Sequence, residues 1–383
     1  MKKIIFTFIT LFTTLQFSNG QTSIPIINQK RILTPSIAGL GFYPADARHG
    51  ALGEAGVATS HDQADIFWNP ARTAFAETRF GLYSAYEPHW LKSLVNDMSF
   101  IHVGAYYKFK NNRSAVSINY TNFNQGLFQS TNSNGQSLGN LSSNEWALGI
   151  NFAKKLSPNF SLGIGIKYMK SNLLLGINTG SLYSYQSQPA TTVAADISIF
   201  HQDTDSTKLI NLNYGVYISN LSGRINYGGT ESNFIPTNLK IGIAPTLKIN
   251  KHNTLTLAID ANKLMIPTPT YDINGKIIQP LTAIGGIVGS FGDAPDGLSE
   301  ELQEIIWSMG LEYWYDKKIA IRIGKFIESE NKGGRNFTTF GIGVKIIRRI
   351  NVDLAYMKNE QIDSPVGNLW RGNITFGIGK INK

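Results

Sequence analysis

Cysteine is absent from the 383-residue sequence, and long apolar runs and charged residues are scarce. Without cysteine, neither a disulfide framework nor a thiolate metal site can form. Beyond residue 17, unbroken apolar runs fall short of the roughly 18–20 residues that a transmembrane helix needs. Charged residues make up only 16% of the chain. They form no basic run interleaved with aromatic residues, so no nucleic-acid partner is expected.

The abundant residues favour strands. Glycine, serine, threonine, asparagine and tyrosine are frequent, and mean hydropathy lies near zero. A membrane-spanning β-barrel has this balance because each strand combines a lipid-facing apolar side with a polar side that faces the lumen. The formal net charge of +9 comes from lysines and arginines scattered at strand ends and turns, where they would anchor at the membrane interface.

The N-terminus has the pattern of a secretory signal. Lys2 and Lys3 precede an apolar run over residues 4–17, and the small residues 18–20 follow. A basic start, a short apolar stretch and a small-residue cleavage site predict a signal peptide over residues 1–20, with Sec export and a mature chain that begins at Gln21. The alternative is a buried N-terminal helix.

From residue 79 onward, one pattern repeats: about ten residues of apolar and polar alternation, followed by a turn. Leu162, Ile164 and Ile166, for example, alternate with Gly163 and Gly165. The repeat predicts fourteen strands, an even number as in bacterial single-chain barrels. The predicted spans are residues 79–86, 98–109, 113–124, 143–154, 160–170, 191–202, 210–219, 238–249, 253–260, 304–315, 318–328, 336–347, 350–357 and 369–380.

The connections distinguish a barrel from a soluble sandwich. They alternate between short and long, and the link at 261–303 is the longest. Tight periplasmic turns and long external loops produce this alternation in an up-and-down barrel. We therefore predict an all-β fold over residues 79–383: a 14-stranded antiparallel up-and-down transmembrane β-barrel in the outer membrane. The segment 261–303 would be its long extracellular loop.

Residues 21–78 lack strand alternation and are too many for a simple lead-in. Within them, residues 39–76 mix glycine, small residues and apolar side chains. Sequence of this kind can pack tightly inside a barrel, so we predict that residues 21–78 form an N-terminal plug or hatch. Its most distinctive motif is Trp68-Asn69-Pro70-Ala71.

Two stretches resemble a known family. Residues 44–60 (PADARHGALGEAGVATS) continue into 65–71 (DIFWNPA), and a second stretch runs from 297–302 (GLSEEL) through 307–315 (WSMGLEYWY) to Ile323 and Gly324. Together they resemble the PorV family, outer-membrane components of the type IX secretion system of Bacteroidetes. The Asn-Pro-Ala element alone is similar to the wider FadL-type (OmpP1) family of hydrophobic-compound transporters. His49 and Lys325 depart from the PorV pattern.

The resemblance implies a FadL-like barrel that works as a shuttle among outer-membrane lipids. Such a protein docks at the lateral opening of a very large translocon barrel of the SprA/Sov type. It receives the C-terminal signal domain of cargo proteins on its outer loops and delivers the cargo to an attachment complex with a PorU-like sortase. For this chain we expect the partners to contact the longest loop, around residues Leu298, Glu300, Glu301 and Leu302.

Candidate metal ligands have simpler interpretations. His61, Asp62 and Asp65 could bind a cation, but no second histidine lies nearby, and polar groups satisfied inside a plug are the better interpretation. Asp203 and Asp205 resemble the start of a calcium loop that lacks its glycine and closing glutamate, which favours a polar periplasmic turn. We expect no metal and no cofactor.

Candidate acid and base residues lie at inward-facing positions. Alternation places Asp196, Glu312, Asp353 and His102 inside the barrel, where carboxylates and a histidine could support acid/base chemistry. Charged residues are ordinary in a lumen, however, so we expect no catalytic residue. Residues 299–304 suggest one acidic helical turn capped by Ser299, solvated by default or available to a partner.

Three functions therefore remain open. The first is the type IX shuttle. The second is a FadL-like transporter of hydrophobic small molecules, which predicts an apolar pocket near the plug. The third is an outer-membrane enzyme such as a lipid deacylase, which predicts a nucleophile and a base within hydrogen-bond distance in the lumen. The family resemblance favours the first.

Overall fold

The structure is a computed structural model that describes residues 31–42, 46–88, 97–131, 134–175, 188–228, 232–272, 278, 280, 282–347, 349–360 and 367–380. The predicted signal peptide at 1–20 lies outside the described residues, as do residues 21–30 and 43–45 of the predicted plug. No described helix is both long enough and apolar enough to cross a membrane.

Fourteen strands form a closed antiparallel barrel, in which β1 pairs with β16 to complete the ring. A separate two-stranded hairpin, β8–β9, lies in the connection between β7 and β10. The strands are β1 Thr78–Pro88, β2 Ser99–Lys108, β3 Ser114–Thr131, β4 Ser137–Lys155, β5 Phe160–Leu175, β6 Ala190–His201, β7 Ile210–Leu221, β8 Arg224–Ile225, β9 Asn233–Phe234, β10 Asn238–Lys248, β11 Thr254–Leu264, β12 Ile305–Tyr315, β13 Ile319–Ile327, β14 Asn336–Ile347, β15 Ile350–Asn359 and β16 Leu369–Lys380.

The helices are short, and none of them is part of the barrel wall. They are α1 Ala38–Phe42, α2 Ala47–Gly50, α3 Asp65–Trp68, α4 Ala283–Gly289 and α5 Leu298–Gln303, with 3₁₀ turns at Pro70–Phe75 and Glu330–Lys332. Asp46 caps α2 by accepting from the backbone N–H groups of Arg48 and His49. α5 follows Gly297, whose φ is 67°, and has no side-chain cap. The predicted cap at Ser299 is therefore wrong.

The inside-out arrangement of the strands confirms the predicted fold class. Ile164 and Ile166 on β5 are 52% and 66% exposed on the outer surface, whereas Ser161 of the same strand is completely buried. On β16, Asn373 and Thr375 face inward and are buried. Apolar side chains that point outward belong against lipid, and the polar side chains fill the interior.

All fourteen predicted barrel strands are present, and the differences lie at their ends. β3 and β4 extend well beyond the predicted spans, so the connection between them is reduced to residues 132–136. β11 continues to Leu264, and the longest connection runs over 265–304. The hairpin β8–β9 has two residues in each strand, too few to show alternation, so it is not evident from the sequence.

The lumen is filled by residues 46–76, which we call the lumen segment. It comprises α2, α3 and the first 3₁₀ turn, and it packs against β3–β6 and β14–β16. Leu52, Trp68, Ala71 and Ala74 are fully buried. The plug over residues 21–78 stays a prediction, of which the lumen segment is the part that lies inside the barrel.

Candidate functional site

The lumen segment lies so close to the barrel wall that some strand positions accommodate only glycine. A Cβ atom on Gly324 of β13 would lie 2.0 Å from the backbone nitrogen of Gly53, and one on Gly163 of β5 would lie 2.7 Å from that of Ala71. Glycine inside a strand marks this close approach of another backbone. Glycines at inward-facing strand positions therefore indicate, in the sequence itself, where the lumen segment contacts the wall.

Two buried arginines clamp the lumen segment to the wall. Arg48 of the segment donates to both carboxylate oxygens of Glu312 on β12, at 2.9 and 2.8 Å. In the opposite direction, Arg371 on β16 donates to Glu54 of the segment at 3.0 Å and to Glu87 on β1 at 2.6 Å. All five side chains are buried. Charge-assisted hydrogen bonds in such surroundings are costly to break, so they hold the segment in place.

The predicted plug motif connects the lumen segment to β5 and β6. The indole N–H of Trp68 donates to Asp46 at 3.2 Å. Asn69 caps the following 3₁₀ turn, which begins at Pro70, and its Nδ2 donates to the carbonyl of Ile199 on β6 at 3.0 Å. Ala71 accepts from the hydroxyl of Ser161 on β5 at 2.7 Å. The motif therefore has clear structural contacts within the lumen.

The proposed metal ligands are bound to other protein groups. Asp65 pairs with His61 and with Arg72, and Asp62 pairs with Arg48. Within the described residues, no group of three or more His, Asp or Glu side chains could hold a metal ion. These contacts confirm the interpretation of polar groups satisfied inside the barrel.

The calcium-loop candidate lies in the turn between β6 and β7. Asp203 accepts from Lys208 at 2.8 Å, and Asp205 accepts from the hydroxyl of Thr207 at 2.6 Å. Because the two carboxylates bind different local partners, the segment is a self-contained polar turn.

The inward-facing acid and base candidates are all buried inside the barrel, as predicted. Glu312 and Asp353 meet at Arg322, which donates to them at 2.7 and 2.8 Å. Asp196 instead pairs with Lys167 at 3.1 Å, and His102 contacts Thr121 at 3.0 Å. The structure thus brings two of the four together, as partners of an arginine rather than as an acid and its base.

Two small cavities lie beside the lumen segment, one of about 50 Å³ and one of about 10 Å³. The larger is lined by polar side chains such as Asn119, Lys167 and Ser219, together with Phe67 and Ile66. Pockets for drug-sized ligands span roughly 300–1,000 Å³, so neither cavity accommodates a hydrophobic molecule of that size.

The connection between β11 and β12 forms a surface that we call the loop platform, residues 265–272 and 282–304. Its outer side carries five exposed apolar side chains. Their exposed fractions are 75% for Ile284, 64% for Val288, 47% for Phe291, 68% for Leu298 and 57% for Leu302. Several exposed apolar side chains within one loop make it a candidate interaction site.

A buried ionic cluster supports the loop platform from below. Lys332, from the connection between β13 and β14, donates to Glu300 at 2.7 Å and to Glu304 at 2.8 Å. Lys263 at the end of β11 pairs with Glu301 at 3.2 Å. The carboxylates of α5 are buried, so the interpretation of a solvated acidic turn is wrong. Of the four expected partner contacts, Leu298 and Leu302 face outward, whereas Glu300 and Glu301 face the barrel.

Two carboxyl groups of the platform have shifted pKa values. Burial raises the pKa of Asp293 to about 6, and the nearby charge of Glu301 adds to the shift. Burial acts in the same direction on Glu300, but its hydrogen bonds and the charge of Lys332 lower its pKa overall. Asp293 accepts from the backbone N–H of Thr268 at 3.2 Å, which ties the two ends of the platform together.

Residues 26–271 match the family described as type IX secretion system protein PorV. The match covers more than half of the chain. The chain belongs to the PorV family. It is therefore an outer-membrane protein with a role in type IX secretion. No curated protein matches it.

The PorV match confirms the resemblance carried by residues 44–60 and 65–71. The second stretch, which begins at residue 297, lies beyond the matched range. The whole lumen segment falls within that range, but the platform residues Leu298 and Leu302 do not.

Solved structures support the fold of this PorV-family chain. It is similar to the CymD monoaromatic hydrocarbon channel, with a TM-score of 0.53 and 12% identity over 88% of this chain and 98% of that one. A deltaS2S3 mutant of the TodX monoaromatic hydrocarbon channel gives a TM-score of 0.51 and 12% identity, over 86% and 96% of the two chains. At such low identity the likeness shows the fold alone, a FadL-like barrel.

Proposed function

We propose that this PorV-family chain is a shuttle of the type IX secretion system. After export with cleavage of the signal peptide at residues 1–20, the barrel stands in the outer membrane with its long loops outside. The loop side receives the C-terminal signal domain of a cargo protein at the translocon barrel. The chain then presents the cargo to a cell-surface attachment complex that contains a PorU-like sortase.

The filled lumen favours a surface function over conduction. Arg48 and Arg371 hold the lumen segment to the wall through buried charged contacts. Passage through the barrel would require these contacts to break, whereas carrying a protein on the loops leaves them intact. The plug assigned to residues 21–78 then serves as a seal that keeps the membrane barrier closed while the loops exchange partners.

The proposal rests chiefly on the exposed apolar side chains of the loop platform. Leu298 and Leu302 lie one helical turn apart on α5, so they project from the same side of that helix. Glu300 and Glu301 of the same turn are held from below by Lys332 and Lys263. A rigidly supported apolar surface can bind a protein partner with little loss of conformational entropy.

The test is affinity purification from native outer membranes of a double variant, Leu298→Ser with Leu302→Ser. Both substitutions remove exposed apolar surface and leave the ionic cluster untouched, so the barrel should assemble normally. We expect at least a tenfold loss of co-purified translocon barrel or cargo, since each buried leucine contributes on the order of 1.5–3 kcal/mol.

The matched control is Leu156→Ser, in the turn between β4 and β5 at the opposite end of the barrel. Leu156 is 58% exposed, close to Leu302 at 57%. The control should retain wild-type recovery of partners. Equal recovery with the platform variant and the control would contradict a binding role for Leu298 and Leu302.

The alternative is a FadL-like transporter of hydrophobic small molecules, which the barrel fold favours. It requires the lumen segment to move, because the cavities beside it are small. A purified barrel that carries a bound lipid-like molecule, with neither translocon nor cargo, would replace the shuttle by this alternative.

A further inference from the structure

The larger lumen cavity lies between the lumen segment and strands from both sides of the barrel. Its walls include His102 and Asn119 from β2 and β3, Lys167 from β5, Ser219 from β7 and Lys240 from β10. The volume of about 50 Å³ exceeds the roughly 10–15 Å³ that a single water molecule needs. It therefore has room for a small ion but not for a hydrocarbon chain.

Lys240 is the unusual residue of this cavity. It is only 9% exposed, and it lines both the larger cavity and the smaller one beside it. Among the described residues, it has neither a hydrogen bond nor an ion pair. Its contact with the lumen segment is with the ring of Trp68, whose centroid lies 4.9 Å from Nζ.

The neighbouring carboxylates are bound to other groups. Asp196 accepts from Tyr217 at 3.0 Å and pairs with Lys167. One oxygen of Asp260 accepts from the backbone N–H groups of Gly56 and Val57, and its other oxygen lies beyond ion-pair distance from Lys240. Glu54 is paired with Arg371. The ammonium group of Lys240 therefore has no direct hydrogen bond or ion pair, although the carboxylates of Asp260 and Glu54 oppose its charge at longer range.

A buried cation without a partner is costly, and the cost falls sharply when a counter-charge binds beside it. Lys167 also lines this cavity, but its charge is balanced by Asp196, while Asn119 and Ser219 provide neutral polar groups. A halide-sized ion requires little more room than a water molecule, and this polar lining can replace its hydration shell.

We propose that this cavity binds a small monovalent anion of halide size beside Lys240. The anion compensates the buried ammonium group and keeps it directed toward Trp68. It thereby contributes to holding the lumen segment inside the barrel. The site is independent of the proposed shuttle function, because neither the platform nor a protein partner takes part in it.

The direct test is crystallisation of the full mature barrel in bromide, with anomalous diffraction measured at the bromine edge. We expect an anomalous peak in contact with Nζ of Lys240, and loss of that peak in Lys240→Met. A bromide-free cavity with water beside Nζ, or a direct ion pair between Lys240 and Asp260, would overturn the proposal.

A solution measurement tests the same site without relying on one crystal form. The unfolding midpoint of the detergent-solubilised barrel should rise as bromide replaces fluoride at constant ionic strength, because a ligand that binds only the folded state stabilises it. Lys240→Met should lose this response. The control Lys317→Met, at an exposed lysine between β12 and β13, should keep it. Equal responses in wild type and Lys240→Met would refute the site.

Discussion

Arg322 lies where two wall carboxylates meet inside the lumen. Its guanidinium group pairs with Glu312 on β12 and with Asp353 on β15, and its side chain is fully buried. Glu312 in turn bonds Arg48 of the lumen segment. Side chains from two wall strands and from the segment are therefore connected through β13.

Replacing Arg322 by methionine should strongly destabilise the barrel. The change removes the cation and leaves Asp353 buried without its ionic partner, a defect that typically costs about 3–5 kcal/mol. Urea unfolding in lipid vesicles measures the free energy. The control is Lys318→Met, which disrupts an exposed pair with Asp316 and should leave the free energy of unfolding nearly unchanged. Similar losses for the two variants would contradict a stabilising role for the buried ion pairs of Arg322.

The raised pKa of Asp293 predicts a pH-dependent loop platform. The pKa of Asp293 in the folded protein is about 6, above the unfolded value of 3.8. Its contribution to the stability of the platform is therefore complete at low pH and is lost as pH rises through about 6. Hydrogen exchange at the backbone N–H of Thr268, corrected for its intrinsic pH dependence, should show less protection at pH about 7 than at pH about 5.

Asp293→Asn should abolish that pH dependence, because the amide cannot ionise. The pKa of Glu300 is lowered, so its contribution to stability is lost only when the pH falls below the usual pKa of a glutamate. Glu300 therefore does not affect the change expected between pH about 5 and pH about 7. An unchanged pH profile in Asp293→Asn would assign the effect to another group.

At the level of the strands, the lipid-facing assignment makes a quantitative prediction. Ile164 on β5 is 52% exposed on the outer surface. If it faces the middle of the bilayer, Ile164→Lys should destabilise the barrel by about 2–4 kcal/mol, and the same holds for Ile342 on β14. The control Ile249→Lys, in a turn at the membrane interface, should cost about 0–1 kcal/mol. Unchanged heat-modifiable migration and assembly of both strand variants would reject the assignment.

The strands were predictable because alternation is a local property of the sequence. Each outward isoleucine and its inward glycine or asparagine are neighbours in the chain, so one strand suffices to assign both faces. The extensions of β3 and β4 were not predictable in this way. They consist largely of polar residues such as Gln129 and Asn140, which present no apolar face.

The contacts of the candidate sites depend on folding and were largely hidden in the sequence. Arg48 and Glu312 are 264 residues apart, and nothing local to either residue indicates that they meet. The acidic turn of α5 was visible, but its burial was not, because Lys332 reaches it from another connection. The Trp68-Asn69-Pro70-Ala71 motif was identified from sequence, although its contacts with β5 and β6 required the structure.

For the whole molecule, the filled lumen and the loop platform assign different tasks to different parts of the chain. Buried ion pairs hold the lumen segment in the barrel. The larger of the two cavities described beside it has a volume of about 50 Å³. The exposed apolar side chains on the platform provide a surface for protein partners. This division is what a carrier requires and a conduit does not.

The most direct measurement is gentle affinity purification of the wild-type protein from native outer membranes, followed by mass spectrometry of what remains bound. For a shuttle, we expect recovery of a giant translocon barrel, or of secreted proteins that retain their C-terminal domains. A clean monomer that carries only a lipid-like molecule would contradict the shuttle and support transport through the barrel.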